Sequence, residues 1–290
     1  MKILIAGSHG MIGSAVTRHL LDNSHEIVRL VRCTPGPDEV WWEPDAGEIH
    51  TAELEGFDGV INLATTPWPM RWTAKVKQRM SANRAGTNCL LAEALAQCDR
   101  KPSVVVCASG IGYYPPSGDM FITEDSPAGG SFLTNLNRDG ESATASASHA
   151  GIRVVHLRIP MVLGGDRLKM LGFQAGSGQQ WMSWIGLDEV ASIIEFALIT
   201  ESLSGPVNCV SPNPMRLADF ATTATKALGQ KPGGVMPSFI ARLFLGEMGE
   251  EFLLASRRAQ PAKLLAAGYQ FCFPDLANAL LHEKENLKLN

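Results

Sequence analysis

Short runs of consecutive apolar residues alternate along this chain with longer stretches whose apolar positions recur every three or four residues. The short runs are KILIAG (2–7), EIVRLV (26–31), GVINLA (59–64), SVVVCAS (103–109), RVVHLRI (153–159) and PVNCV (206–210). The periodic stretches cover 11–22, 72–98 and 134–149. Runs that are apolar on successive residues, rather than on every second one, suit strands covered by helices on both faces. Their alternation with helices predicts an α/β fold built on a Rossmann-type, doubly wound parallel sheet. After residue 160 the pattern loosens: Gly punctuates GGDRLKMLGFQAGSGQQ (164–180), and the last sixty residues read as helical with breaks at PSF, PAK and FP. The expected organisation is a nucleotide-binding domain over 1–160, with 186–211 returning to it, and a smaller, mostly helical substrate domain over 161–290.

In the stretch 72–98, Val76, Met80, Asn83, Thr87, Leu90, Leu91 and Ala94 fall on one helical stripe, which places Asn83 among the buried positions. A buried amide needs a partner, and either a neighbouring strand or a ligand would serve. Arg71, Lys75 and Arg79 read as a solvated face.

Directly after the first strand, and directly before an amphipathic helix carrying Ile12, Val16 and Leu20, stands AGSHGMIGS. Gly7, Gly10 and Gly13 there form GxxGxxG. Glycines in that context let the backbone turn tightly and come close to a pyrophosphate, whose charge then rests on unpaired N–H groups at the helix start. The motif, its strand, its helix and its position together predict dinucleotide binding. NAD-selective sites place a carboxylate at the end of the second strand, but here the chain reads Leu30, Val31, Arg32, Cys33. Arg32 is either a surface residue or a clamp for a 2′-phosphate. A charge-assisted bond of roughly 1.5–3 kcal/mol predicts a preference for NADP(H) that still admits NAD(H).

Composition narrows the partners. A net charge of −4 offers no basic field for a phosphate backbone, so nucleic acid is not expected. No apolar run approaches the eighteen residues of a membrane span, and MKILIAG reads as a strand rather than a signal peptide. The six cysteines show no CxxC or CxxH spacing and the seven histidines no metal pattern, so reduced thiols, a cytoplasmic location and no metal are expected. The partner left is a small molecule, acting on a monomer or a homodimer.

The motifs GxxGxxG, FDGVINLA (57–64), NRAGT with LLAEAL (83–95) and VVVCASGIGYY (104–114) make the chain resemble the extended short-chain dehydrogenase/reductases. RWT (71–73), TEDSPAGGSFL (123–133), GSGQQWMSWI (176–185), SGPVNCVSPNP (204–214) and the block from LGEMGEEFLLAS to PAKLLAAGYQFCFPDL are most similar to their YfcH/SulA-like epimerase-family subgroup, which has its own C-terminal domain. The resemblance implies cofactor contacts from Gly7, Ser8, His9, Gly10, Met11, Ile12 and Gly13, from Val31 and Arg32, from Leu63 and Ala64, and from Asn83 and Arg84. Pro160 and Met161 would approach the nicotinamide end. Ser109 corresponds to the family's catalytic Ser/Thr.

The wider superfamily also uses a tyrosine with a lysine four residues on, whose charge makes the phenol a usable acid near neutrality. Here the residues four after Tyr113, Tyr114 and Tyr269 are Ser117, Gly118 and Phe273, so YxxxK is absent. Leu133 and Asn137 stand where the pair is expected. Tyr113 and Tyr114 are the local phenols that would replace the missing acid, or else they pack the exit of the strand against Pro115 and Pro116. Trp181 and Trp184 are either the floor of a flat ligand's site or packing anchors, and Asp188 reads as a helix N-cap. The function expected is an atypical NADP(H)-dependent oxidoreductase or epimerase on a small molecule. The rival is a catalytically silent dinucleotide-binding regulator.

Overall fold

The computed structural model describes residues 1–65 and 71–289. Among them the main sheet contains eight strands: β1 (Lys2–Ala6), β2 (Glu26–Val31), β3 (Glu39–Glu43), β4 (Glu48–Ile49), β5 (Gly59–Asn62), β6 (Val104–Gly110), β8 (Arg153–Ile159) and β13 (Gly205–Asn208). Their order across the sheet is β13-β8-β6-β5-β1-β2-β3-β4, parallel throughout except for β3 against β4. β1 pairs with β2 on one side and with β5 on the other. The strand order therefore reverses at β1, and such a switch point opens a crevice beyond the carboxyl ends of the strands.

Four small strand pairs lie outside this sheet: β7 (Phe121–Ile122) with β16 (Arg258–Ala259), β9 (Met161–Leu163) with β12 (Trp184–Gly186), β10 (Gln174–Ala175) with β15 (Val235–Met236), and β11 (Trp181–Met182) with β14 (Met215–Arg216). The α-helices are α1 (Met11–Asp22), α2 (Ala74–Gln97), α3 (Phe132–Ser142), α4 (Ala145–His149), α5 (Leu187–Ile199), α6 (Leu217–Leu228), α7 (Ser238–Leu245), α8 (Glu247–Gly249), α9 (Ala262–Ala266) and α10 (Leu276–Leu289).

Both faces of the sheet are covered, as its apolar runs require. Ile3, Ile5, Ile61, Val104 and Val106 bury against Val16 and Leu20 of α1 and Ile193 and Ile194 of α5. Leu4, Val60, Val105 and Cys107, pointing the other way, meet Leu91 and Leu95 of α2 and Ala147 of α4. A separate cluster holds Trp184, Phe220, Leu228 and Leu280, where α6 and α10 close on each other.

Three local expectations are revised. The stretch 134–149 is two helices, broken at Ala143 and Thr144, rather than one. The strand β3 was not among the expected runs; its inward residues are only Val40 and Trp42, and its burial alternates as an outer strand's does. Finally, Asp188 is not the N-cap of α5. Gly186 holds that position without a side-chain bond, and Asp188 lies in the first turn. The capping carboxylate comes from Glu283 on α10, 3% exposed, whose Oε1 accepts the N–H of Asp188 at 3.2 Å.

Candidate functional site

The loop after β1 is built to let backbone lie on backbone. Gly7 has φ +80°, and a Cβ there would meet the Leu63 carbonyl carbon at 2.7 Å and the Ala64 nitrogen at 2.8 Å. A Cβ on Gly13 would lie 2.1 Å from the Gly7 oxygen. The glycines thus seat the loop on the end of β5 and seat α1 on the loop. Gly10, the N-cap of α1, makes no side-chain cap bond, so the first N–H groups of a twelve-residue helix face the crevice without a capping side chain. Ser8 is buried and His9 exposed; their Oγ and Nδ1 are 3.3 Å apart. Met11 and Ile12 are half-buried at the helix start. Leu63 and Ala64 follow β5, and the Asn62 Oδ1 accepts the Ala64 N–H at 3.1 Å.

Val31 ends β2 buried, and Arg32 follows it exposed. Among the described residues Arg32 makes no ion pair. Between α1 and β2 runs a groove of about 370 Å³ lined by Ser8, His9, Ser14, Arg18, Asp22 and Arg29. Arg18 is held at 3.3 Å by Asp188.

At the end of β6, Ser109 is 8% exposed and sits opposite Arg158 of β8 in the sheet register. Its Oγ donates to Glu141 Oε1 of α3 at 2.6 Å. Arg158 donates from Nε to the same oxygen at 2.8 Å and from Nη2 to Oε2 at 2.7 Å. Its remaining nitrogen, Nη1, donates to the Tyr114 hydroxyl at 2.7 Å, which donates in turn to Asn208 Oδ1 at 2.8 Å. Burial works against the charge on Arg158, but the bonds and charge of Glu141 outweigh it and raise the guanidinium above its ordinary value.

The two neighbouring tyrosines have different situations. Tyr114 is fully buried among Ile122, Val210 and Ala259, and burial pushes its phenol up to about 12 against the pull of Arg158. Tyr113 is half-buried, its ring 3.4 Å from the Arg158 guanidinium carbon and 5.3 Å from the Tyr114 ring. Leu133 and Asn137, at the positions where a Tyr–Lys pair is expected, press α3 onto the end of β6: a Cβ on Gly112 would meet Leu133 Cβ at 3.0 Å, and one on Gly110 would meet the Asn137 amide at 3.4 Å. Asn137 Nδ2 returns to the Leu133 carbonyl at 2.9 Å.

In α2 the buried stripe differs from the one expected. Asn83 is half-buried, whereas Arg84 and Asn88 are buried. They lie inside because the sheet and α3 bond them: Arg84 Nη1 donates to Ala108 O of β6 at 2.7 Å, Asn88 Nδ2 to Gly140 O of α3 at 2.7 Å, and Asn62 Nδ2 of β5 to Asn88 Oδ1 at 2.8 Å. Arg84 thereby fixes the strand end that carries Ser109. Pro160, between β8 and β9, and Met161, the first residue of β9, are half-buried. Trp184 is fully buried with Nε1 bonded to Asn213 O, and Trp181 is stacked between Arg216 and Arg258, at 4.3 and 3.9 Å.

Glu141, Arg158 and Asn208 were absent from the sequence-based set of site residues. Arg158 carried a readable signal, a guanidinium inside the apolar run RVVHLRI, which demands a buried partner. Glu141 carried none, because an acidic residue on a helix is ordinarily solvated.

Known proteins match this chain along its length. The profile of the NAD dependent epimerase/dehydratase family matches residues 3–164, and that of a domain of unknown function, DUF1731, matches 236–283. The epimerase family protein ML0860 of Mycobacterium leprae is 37% identical over 96% of this chain and 94% of its own length. The human epimerase family protein SDR39U1 is 31% identical over 97% and 98%. A crystal structure of human SDR39U1 (isoform 2) with NADPH superposes with a TM-score of 0.88 at 32% identity, covering 99% of this chain and all of that one. A nucleoside-diphosphate sugar epimerase from Corynebacterium glutamicum gives 0.83 at 30% identity, over 100% of this chain and 62% of its own.

Proposed function

Since the chain belongs to the NAD dependent epimerase/dehydratase family, we propose that it is an atypical NADP(H)-dependent oxidoreductase or epimerase of a small molecule, working without a YxxxK pair. The observation that carries this reading is the cradle at the switch point. No Cβ fits at Gly7 or Gly13, and the start of α1 has no capping side chain. Those are the features a diphosphate needs from a backbone, so the residues fit a dinucleotide. The loop Gly7–Gly13 with Leu63 and Ala64 would hold its diphosphate end, Arg32 a 2′-phosphate, and Pro160 and Met161 the nicotinamide end. The NADPH in the human SDR39U1 crystal structure supports the choice of nucleotide. A bound nicotinamide supplies hydride exchange with a carbon of the ligand.

The chain's own residues do the rest. Ser109, at the end of β6, meets the reacting oxygen of the ligand. Tyr113 is the phenol with surface to reach that oxygen, while Tyr114 is sealed and serves to hold Arg158. With no lysine four residues on, the proton transfer that a Tyr–Lys pair provides is missing, which makes the chemistry slow.

Calorimetric titration of the nucleotide-free protein with NADPH and NADH tests the reading. NADPH is expected to bind, and more tightly than NADH; uptake of neither would overturn it. NADPH consumption against a panel of ketones, aldehydes and nucleotide sugars, repeated with Ser109→Ala and Tyr113→Phe, tests the assignment of the two side chains.

A further inference from the structure

The bond between Ser109 and Glu141 has only one possible direction. Arg158 grips both oxygens of Glu141, at 2.8 and 2.7 Å. A guanidinium does not deprotonate in a protein, so the carboxylate bound to it in this bidentate way is ionised and only accepts hydrogen bonds. The hydrogen in the 2.6 Å contact therefore belongs to Ser109. A serine hydroxyl has one hydrogen, and that hydrogen is committed. What Ser109 can still present at the carboxyl edge of β6 is its lone pairs.

The network has no second use for that geometry. Glu141 and Arg158 already satisfy each other, and the last Arg158 nitrogen is satisfied by Tyr114. Burying an ion pair is costly and is often no better for stability than apolar packing, so stability alone does not account for a carboxylate aimed at a strand-end serine. Arg158 also lies against the ring of Tyr113, so one guanidinium fixes both side chains assigned to the ligand.

We propose that Glu141, held by Arg158, is a positioning residue that locks Ser109 as a hydrogen-bond acceptor, so that the ligand group received there is a donor, a hydroxyl or an amine, rather than a carbonyl. The Glu141–Arg158 pair thus supplies the fixed polarity that this chain lacks a Tyr–Lys pair to provide. The inference rests on the reading above only in placing the ligand at Ser109; the direction of the Ser109–Glu141 bond stands without it.

Neutron diffraction from deuterated crystals reads that bond directly. A Ser109 deuteron on the line to Glu141, with Glu141 unprotonated, is expected. A deuteron pointing elsewhere, or one on the carboxylate, overturns the inference, whether or not a ligand is known. The binding consequence is read by calorimetry with cyclohexanol and cyclohexanone as a matched probe pair, at saturating NADPH and at saturating NADP⁺. The wild type is expected to favour the alcohol by at least about tenfold, as a site built around one hydrogen bond does. Glu141→Gln, with the same shape and no charge, should lose that preference while keeping NADPH affinity, and Glu141→Asp should restore part of it. A wild type that takes the ketone as well as the alcohol, or a Glu141→Gln variant that keeps the preference, sinks the proposal. Failure of the wild type to bind NADPH would instead count against the functional reading and leave the deuteron position as the deciding measurement here.

Discussion

Glu283 Oε1 accepts the backbone N–H of Asp188 at 3.2 Å, so the start of α5 is capped by a carboxylate from the last helix of the chain. That carboxylate is enclosed by the turns at Gly164 and Gly186, where an added Cβ would meet its oxygens at 3.4 and 3.2 Å. Asp188 alongside it is bonded by Arg18, His282 and Asn286.

Burial, with the negative charge of Asp188, lifts Glu283 to about 7, against the backbone bonds and His282, which pull it down. A carboxyl raised in the folded state is protonated there while the unfolded chain has already lost its proton. Its contribution to stability is therefore unaffected below the ordinary value near 4.5, declines as pH rises from there to about 7, and stays low above. The span is worth about 3 kcal/mol. In Glu283→Gln the amide oxygen keeps the cap, so the variant should gain on the wild type by roughly 2–3 kcal/mol between pH 5 and pH 8. Denaturant titrations at both pH values check this; parallel pH profiles would falsify it.

Gly13→Ala and Gly86→Ala should move in opposite directions. A methyl at 13 overlaps the Gly7 carbonyl at 2.1 Å and forces the loop off the end of β5. NADPH uptake should fall below detection, and the melting temperature should drop. Gly86 lies exposed within α2, and nothing approaches an added Cβ within 4 Å. Alanine there should stabilise by about 1 kcal/mol with nucleotide affinity unchanged. Equal nucleotide affinity in the two variants would remove the cradle from the argument.

Arg32→Ala should weaken NADPH by on the order of ten- to a hundredfold and leave NADH nearly untouched, the difference being one charge-assisted contact. Arg29→Ala, in the groove between α1 and β2, shows whether a second guanidinium shares the phosphate. Calorimetry with both nucleotides measures the two margins. An undiminished preference in Arg32→Ala assigns that side chain to the surface.

The two tyrosines should separate stability from turnover. Tyr114→Phe strands Arg158 Nη1 and Asn208 Oδ1 in the interior and should cost about 1–3 kcal/mol by denaturant titration. Tyr113→Phe keeps the ring on Arg158 and should leave stability within about 0.5 kcal/mol. Any NADPH-dependent turnover found in a substrate panel should drop in it by on the order of 10²–10⁴. The reverse pattern would exchange the roles of the two phenols.

The parallel sheet was readable because strands buried on both faces must be apolar at consecutive positions, and KILIA, VVVC and RVVHL are. The glycine loop was readable because the conformations it needs exclude side chains. β3 was not, since an outer strand with only Val40 and Trp42 facing inward falls below the signal of a run. The polar frame behind Ser109 was the least legible part. Glu141, Arg158 and Asn208 lie on three elements far apart in sequence, and what joins them is hydrogen-bond direction, which no local spacing encodes. The same holds for the α5 cap: Asp188 sits where a helix begins and reads as a cap, but the bond is made by a residue ninety-five positions later.

Gly7 rests on the carbonyl of Leu63, and Gly13 on that of Gly7, backbone against backbone. Walls braced by their own backbone contacts ask little ordering of themselves. Uptake at this crevice should accordingly follow a single exponential limited by encounter, with affinity set by the departure rate and no lag for the protein to rearrange.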